Sequence, residues 1–167
     1  MRVLPCRERL ESVTHAGQPM VHRVISMRIH ISMKPVRLLW YKIAVVHNGI
    51  IENYQELKTR LINKGFTFAS QTDTEVVAQL LDYYYTGNPL ETITKVMHRV
   101  EGSYALGIIF AENPDVIYAV RKDSPLIVGR GEGENLIASD VTAILKYTRD
   151  VYFIENEEIA RLSEEKI

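Results

Sequence analysis

From Lys42 onward the apolar positions fall into clear periods. Residues 43–46 are an unbroken apolar run, which predicts a short buried strand. His47-Asn48-Gly49 interrupts it with a turn pair. A helical period then takes over: Asn53 is placed to cap, Leu57, Leu61 and Ile62 share a face, and Gly65 stops the helix. Residues 66–69 predict a second short strand. Thr72-Asp73-Thr74-Glu75 has the spacing of a capping box and opens a helix carrying Val76, Val77, Leu80 and Leu81. Asn88-Pro89 opens another, through Ile93, Val96 and Met97.

After Gly102 the period falls to two. Strands are predicted over 104–110, 116–120, 126–128, 136–138, 151–154 and 159–162, separated by Asn-Pro, Asp-Ser-Pro and Gly-rich turns. Asp140 is placed to cap a short helix through Leu145. Helices grouped early and strands grouped late predict an α+β domain with a largely antiparallel sheet. Residues 1–41 differ. They show neither period, contain no Asp, and hold four of the five Met residues. The expected organisation is an aberrant segment, 1–41, and a domain, 42–167.

Composition narrows the picture. A chain of 167 residues with 46% hydrophobic and 25% charged positions is one globular domain. A net charge of −1 gives no electrostatic case for nucleic acid or an anionic membrane. No apolar run approaches membrane-spanning length. One cysteine, Cys6, allows no internal disulfide and fits a reducing compartment. A cytoplasmic protein without nucleic-acid or membrane partners is expected.

Asn48-Gly49 carries the candidate chemistry. Alone, Asn-Gly reads as an ordinary turn, because both residues tolerate positive φ. The functional reading is an oxyanion hole, with the Asn48 amide and a Gly49 N–H aimed at one oxygen. His47 reads as a strand-end residue rather than a base. Asp73 alone reads as a helix-capping residue. Tyr83, Tyr84 and Tyr85 read as packing at a helix end. Gly129, Gly131 and Gly133 have the wrong spacing for a phosphate loop. His15, His22 and His30 lie in the aperiodic segment, and no metal or cofactor is assigned.

"HNGIIENYQELK" followed by "FASQTDTEVVAQLL" resembles the glutaminase domain of the glutamine–fructose-6-phosphate aminotransferase family. "EGSYALGIIF", "RKDSPLIVGRGEGENLIASDVTAIL" and "IENEEIARL" extend the resemblance from Lys42 to the C-terminus. "IIEN" followed by "SQTDTE" favours this family over the amidophosphoribosyltransferases. The resemblance implies an N-terminal-nucleophile hydrolase fold, a four-layer αββα sandwich, expected here to be incomplete at the N-terminus. It implies a mechanism in which an N-terminal cysteine attacks the glutamine side-chain amide and releases ammonia from a thioester. By position, Asn48 and Gly49 match the oxyanion donors, and Asp73 matches the carboxylate that holds the α-amino group of glutamine. Fructose 6-phosphate and homo-oligomer formation are implied for the full-length enzyme only.

Two parts of the family pattern are not read directly. The family begins Met-Cys-Gly-Ile, whereas Arg-Glu-Arg follows Cys6, so Cys6 reads as a bystander. This chain is therefore expected to be inactive itself, the alternatives being a non-catalytic glutamine-binding remnant or the glutaminase domain of another amidotransferase. The family block "GIGHTRWATHG", which lines the glutamine pocket, is also missing. Codons for residues 6–21 can nevertheless be chosen that spell Q-G-T-F-G-I-G-H-T-R-W-A-T-H-G when each last base is read with the next two. The Gly across Met20 and Val21, and the Glu across Met33 and Lys34, are forced by the code. A frameshifted translation from about Arg7 to a point between Val36 and Lys42 is expected.

Overall fold

The computed structural model describes residues 42–131 and 135–163, together with the backbone of two short strands, β1 (Val13–His15) and β2 (Gln18–Met20). These two pair antiparallel, Val13 opposite Met20. The cysteine and histidines at positions 6, 22 and 30 lie outside the described residues.

The remaining elements follow the predicted order. β3 (Ile43–Ile51) leads to helices α1 (Tyr54–Ile62), α2 (Asp73–Tyr84) and α3 (Pro89–Met97). Strands β4 (Gly102–Phe110), β5 (Asn113–Lys122), β6 (Ile127–Arg130) and β7 (Asn135–Ala138) come next. A 3-10 turn, Val141–Ala143, precedes β8 (Asp150–Phe153) and β9 (Ile159–Ser163). One antiparallel sheet has the order β3-β4-β5-β9, and a second has the order β7-β6-β8.

Alternation along the strands builds the layers. Ile43, Ile51, Leu106, Ile108, Phe110, Tyr118 and Val120 face the helices and pack on Leu57, Leu61, Val76, Val77, Leu80, Leu81, Ile93 and Val96. From the other face of the same sheet, Ala105, Ile117, Ala119, Ala160 and Leu162 meet Leu126, Val128 and Ile154. The outer face of the second sheet is covered by the 3-10 segment, where Ile144 packs on Ile127 and Leu136. The expected stacking of helices, sheet and sheet is therefore present. On the outermost face the described residues place this short turn where a helix through Leu145 was expected; Asp140 caps it by accepting from Thr142 N–H at 2.8 Å.

The helix ends follow sequence chemistry with informative departures. Thr72 accepts from Glu75 N–H at 3.3 Å, as a capping box requires. The Glu75 carboxylate does not reach back to Thr72; it accepts from the N–H groups of Ala69 and Ser70 at 2.7 and 2.6 Å. Asn53 precedes α1 without a side-chain cap bond. Its amide instead clamps the chain before β4, donating to Arg99 O at 2.8 Å and accepting from Glu101 N–H at 3.0 Å. Gly65, with φ of 91°, ends the α1 turn. Ile62 does not share the buried face expected for it; it is exposed.

Residues 66–69 are not a strand. Among the described residues they have no strand partner: Phe66 N–H returns to Leu61 O at 3.0 Å, and Gln79 donates to Thr67 O at 3.0 Å. The alternating Phe66 and Phe68 pack half-buried against the helix core instead. Tyr85 stacks on Phe110, with ring centroids 4.9 Å apart, which fits the packing role read for the tyrosine run.

Candidate active site

The predicted break at Asn48-Gly49 does not occur. β3 runs unbroken from Ile43 to Ile51, paired throughout with β4. Gly49 sits in register with Tyr104 at a φ of 133°. A Cβ there would lie 2.2 Å from Ser103 O and 2.8 Å from Tyr104 Cα. Glycine is thus required by the approach of β4, and its positive φ is accommodated inside a strand rather than in a turn.

The ladder also fixes where the backbone of β3 points. Ala111 N–H bonds Lys42 O at one end and Glu52 N–H bonds Glu101 O at the other. With the register unbroken between them, the even-numbered residues exchange bonds with β4. The N–H groups of His47, Gly49 and Ile51 then face away from β4. Among the described residues β3 is an edge strand, so this row is not used by a sheet neighbour.

Asp73, the first residue of α2, reaches this edge. Its Oδ2 accepts from Ile51 N–H at 3.0 Å. Its position in the first helical turn favours a negative charge. The His47 side chain, 3% exposed, lies on the helix face of β3, with Nδ1 3.1 Å from Thr74 Oγ1 and 3.6 Å from Asp73 Oδ1. The Thr74 hydroxyl donates to Asp73 Oδ1 at 3.5 Å, the long end of the range. Burial pushes the His47 pKa below its ordinary value; the Asp73 charge pulls the other way and is outweighed. His47 Nε2 is buried without a hydrogen-bond partner among the described residues.

Strand alternation sends the Asn48 side chain to the opposite face from His47, and Asn48 is exposed. The three sequence candidates are therefore gathered along one strand edge, with Asn48 on one face and Asp73 on the other. Sequence reading missed His47 and Thr74 as neighbours of Asp73. The signal was present: Ile43, Val45, His47 and Ile51 keep period two through the supposed turn, which puts His47 on the buried face.

Comparison with known proteins places the chain in a family. The description of a glutamine amidotransferase domain matches residues 8–146. The chain belongs to the glutamine amidotransferase domain family. The glutamine–fructose-6-phosphate aminotransferase (isomerizing) of Caldanaerobacter subterraneus subsp. tengcongensis is 61% identical over 125 residues, covering 75% of this chain and 21% of that protein. The proteins of the same name from Clostridium acetobutylicum and Clostridium tetani are 57% and 52% identical over the same length, with the same coverage. The chain thus spans about a fifth of the length of these relatives. Among solved structures, the glutamine phosphoribosylpyrophosphate amidotransferase from B. subtilis is similar in fold, with a TM-score of 0.58 at 22% identity, over 72% of this chain and 29% of that one. The allosteric regulatory enzyme of purine biosynthesis gives the same TM-score at 24% identity, over 72% of this chain and 28% of its own. These likenesses bear out the expected fold, antiparallel sheets stacked with helices. Membership of the amidotransferase domain family bears out the resemblance drawn from "HNGIIEN" and "SQTDTE". Among the described residues no helix is long and apolar enough to cross a membrane.

Proposed function

We propose that the edge of β3, which has no second sheet neighbour among the described residues, binds glutamine for hydrolysis to glutamate and ammonia, with Asp73 at one end and Asn48 and Gly49 at the other. The observation that carries this reading is the bond from Ile51 N–H to Asp73 Oδ2 at 3.0 Å, which fixes a carboxylate beside a strand that is an edge among the described residues. A carboxylate there pairs with an α-ammonium group. The Asn48 amide and the Gly49 N–H are the donors for the oxygen of the side-chain amide, which gains negative charge when a nucleophile attacks its carbon. Two such donors placed in advance lower that barrier without reorganisation. In the family, the nucleophile is an N-terminal cysteine.

The three relatives at 61%, 57% and 52% identity support glutamine–fructose-6-phosphate aminotransferase as the parent activity. In that reading the released ammonia converts fructose 6-phosphate to glucosamine 6-phosphate on parts of the protein beyond this domain, within a homo-oligomer. The amidophosphoribosyltransferases share the fold at under 25% identity and support no more than that. A cytoplasmic location accords with the single cysteine. Residues 1–41 are proposed to be a displaced-frame translation, preceding the amidotransferase residues 42–167.

Isothermal calorimetry with L-glutamine tests the binding claim. The chain is expected to bind L-glutamine, and Asp73→Asn to lose about tenfold or more in affinity, as expected for a charge-assisted contact. Equal affinity of the two proteins contradicts the role given to Asp73.

A further inference from the structure

The pair His47 and Thr74 is unabsorbed by the site as described. The His47 side chain is 3% exposed, and its Nε2 is buried without a partner among the described residues. Leaving a polar atom so costs about 1–3 kcal/mol. An apolar residue of similar volume would avoid that cost, so packing alone does not account for histidine here. What the imidazole does contact is the Thr74–Asp73 pair.

We infer that His47 and Thr74 are positioning residues that hold the Asp73 carboxylate in the rotamer that receives the α-ammonium group of glutamine. This rests on the role proposed for Asp73 above. Thr74 has one hydroxyl hydrogen. When it goes to Asp73 Oδ1, His47 must donate from Nδ1 to Thr74 Oγ1. The network thus assigns the Nδ1–H tautomer and leaves Nε2 as the unpartnered acceptor. Both Asp73 oxygens are then held, Oδ2 by Ile51 N–H and Oδ1 by Thr74. A carboxylate has about four lone-pair positions, so each oxygen keeps one for a ligand. The side chain is 24% exposed, so solvent and ligand can reach it.

The chemistry of the second residue matters as much as its reach. Arg or Lys at position 47 would bring a permanent cation against Asp73 and compete with the ligand's ammonium. A buried, neutral imidazole supplies a donor without that charge. Holding the carboxylate beforehand also spares the rotamer ordering that binding otherwise requires.

Calorimetry on the 167-residue chain tests this with two ligands: L-glutamine, and 4-carbamoylbutanoate, which is glutamine without its α-amino group. The proteins are wild type, Asp73→Asn, Thr74→Val and Thr74→Ser. Thr74→Val keeps the shape and removes the hydroxyl; Thr74→Ser keeps the hydroxyl. The expected result is that Thr74→Val weakens L-glutamine about three- to tenfold, leaves 4-carbamoylbutanoate unchanged, and Thr74→Ser behaves as wild type. Loss of both ligands alike in Thr74→Val overturns the inference, because that is a structural effect. An unchanged preference in Thr74→Val, with the preference lost in Asp73→Asn, overturns the inference and spares the Asp73 reading. A preference kept in Asp73→Asn, or no binding of either ligand to wild type, overturns the Asp73 reading and this inference with it.

Discussion

Asp73 and Ile51 tie a helix to a strand through one bond: the first residue of α2 accepts the N–H of the last residue of β3 at 3.0 Å. Among the described residues that N–H has no sheet neighbour, and Ile51 itself is buried. The N–H orients the carboxylate on which the proposed glutamine site rests.

Gly49 has no room for a side chain. A Cβ would meet Ser103 O at 2.2 Å, and the φ of 133° is closed to other residues. Gly49→Ala is expected to cost about 2–4 kcal/mol, through strain and displacement of β4. Gly65→Ala is the control: its φ is 91° but no atom lies within 4 Å of an added Cβ. It is expected to cost only about 1–2 kcal/mol, the left-handed penalty alone. Denaturant melts of the two variants measure the difference, and equal losses would show that the β4 contact contributes nothing.

Acid should destabilise the fold through His47. Its folded pKa lies below the ordinary 6.5 because it is buried. The unfolded chain therefore takes up the proton first as pH falls below about 6.5, and unfolding is favoured until the folded pKa is passed. Above that range both states are neutral and His47 contributes no pH dependence. His47→Asn is expected to flatten this limb of the stability–pH curve. An identical slope in wild type and variant would place the acid sensitivity elsewhere.

Glu75 holds the loop before α2. Its carboxylate accepts from Ala69 and Ser70 N–H, two charge-assisted bonds. Glu75→Ala is expected to cost about 1–3 kcal/mol and to speed amide exchange at residues 69 and 70 specifically. Hydrogen exchange read residue by residue checks it; unchanged protection at both amides would mean that other contacts hold this loop.

Reading the coding nucleotides for residues 6–21 tests the displaced frame. The expected outcome is that each codon's last base, taken with the next two, spells Q-G-T-F-G-I-G-H-T-R-W-A-T-H-G. Codons that do not spell this run dispose of the idea.

Much of this fold was legible because period and punctuation agreed. Val76, Val77, Leu80 and Leu81 announced α2, and all four are buried. The strands after Gly102 appear in the expected order, within a residue or two at their ends except that β5 begins earlier, at Asn113. Two local errors share a cause. Asn48-Gly49 looks like a turn and residues 66–69 look like a strand when only neighbours in sequence are considered. The approach of β4 holds Gly49 within the strand at a positive φ, while residues 66–69 have no strand partner among the described residues. Asn48, Gly49 and Asp73 were visible as motif residues. The contact of His47 and Thr74 with Asp73 depends on α2 crossing β3, which no local pattern encodes.

The most direct test is an NMR titration of the isotopically labelled chain with L-glutamine. The expected result is that the largest amide shifts fall on Asn48, Gly49, Ile51 and Asp73, with the Asn48 side-chain amide moving as well. Shifts confined to the second sheet, or none at saturating glutamine, would contradict a glutamine site on the edge of β3.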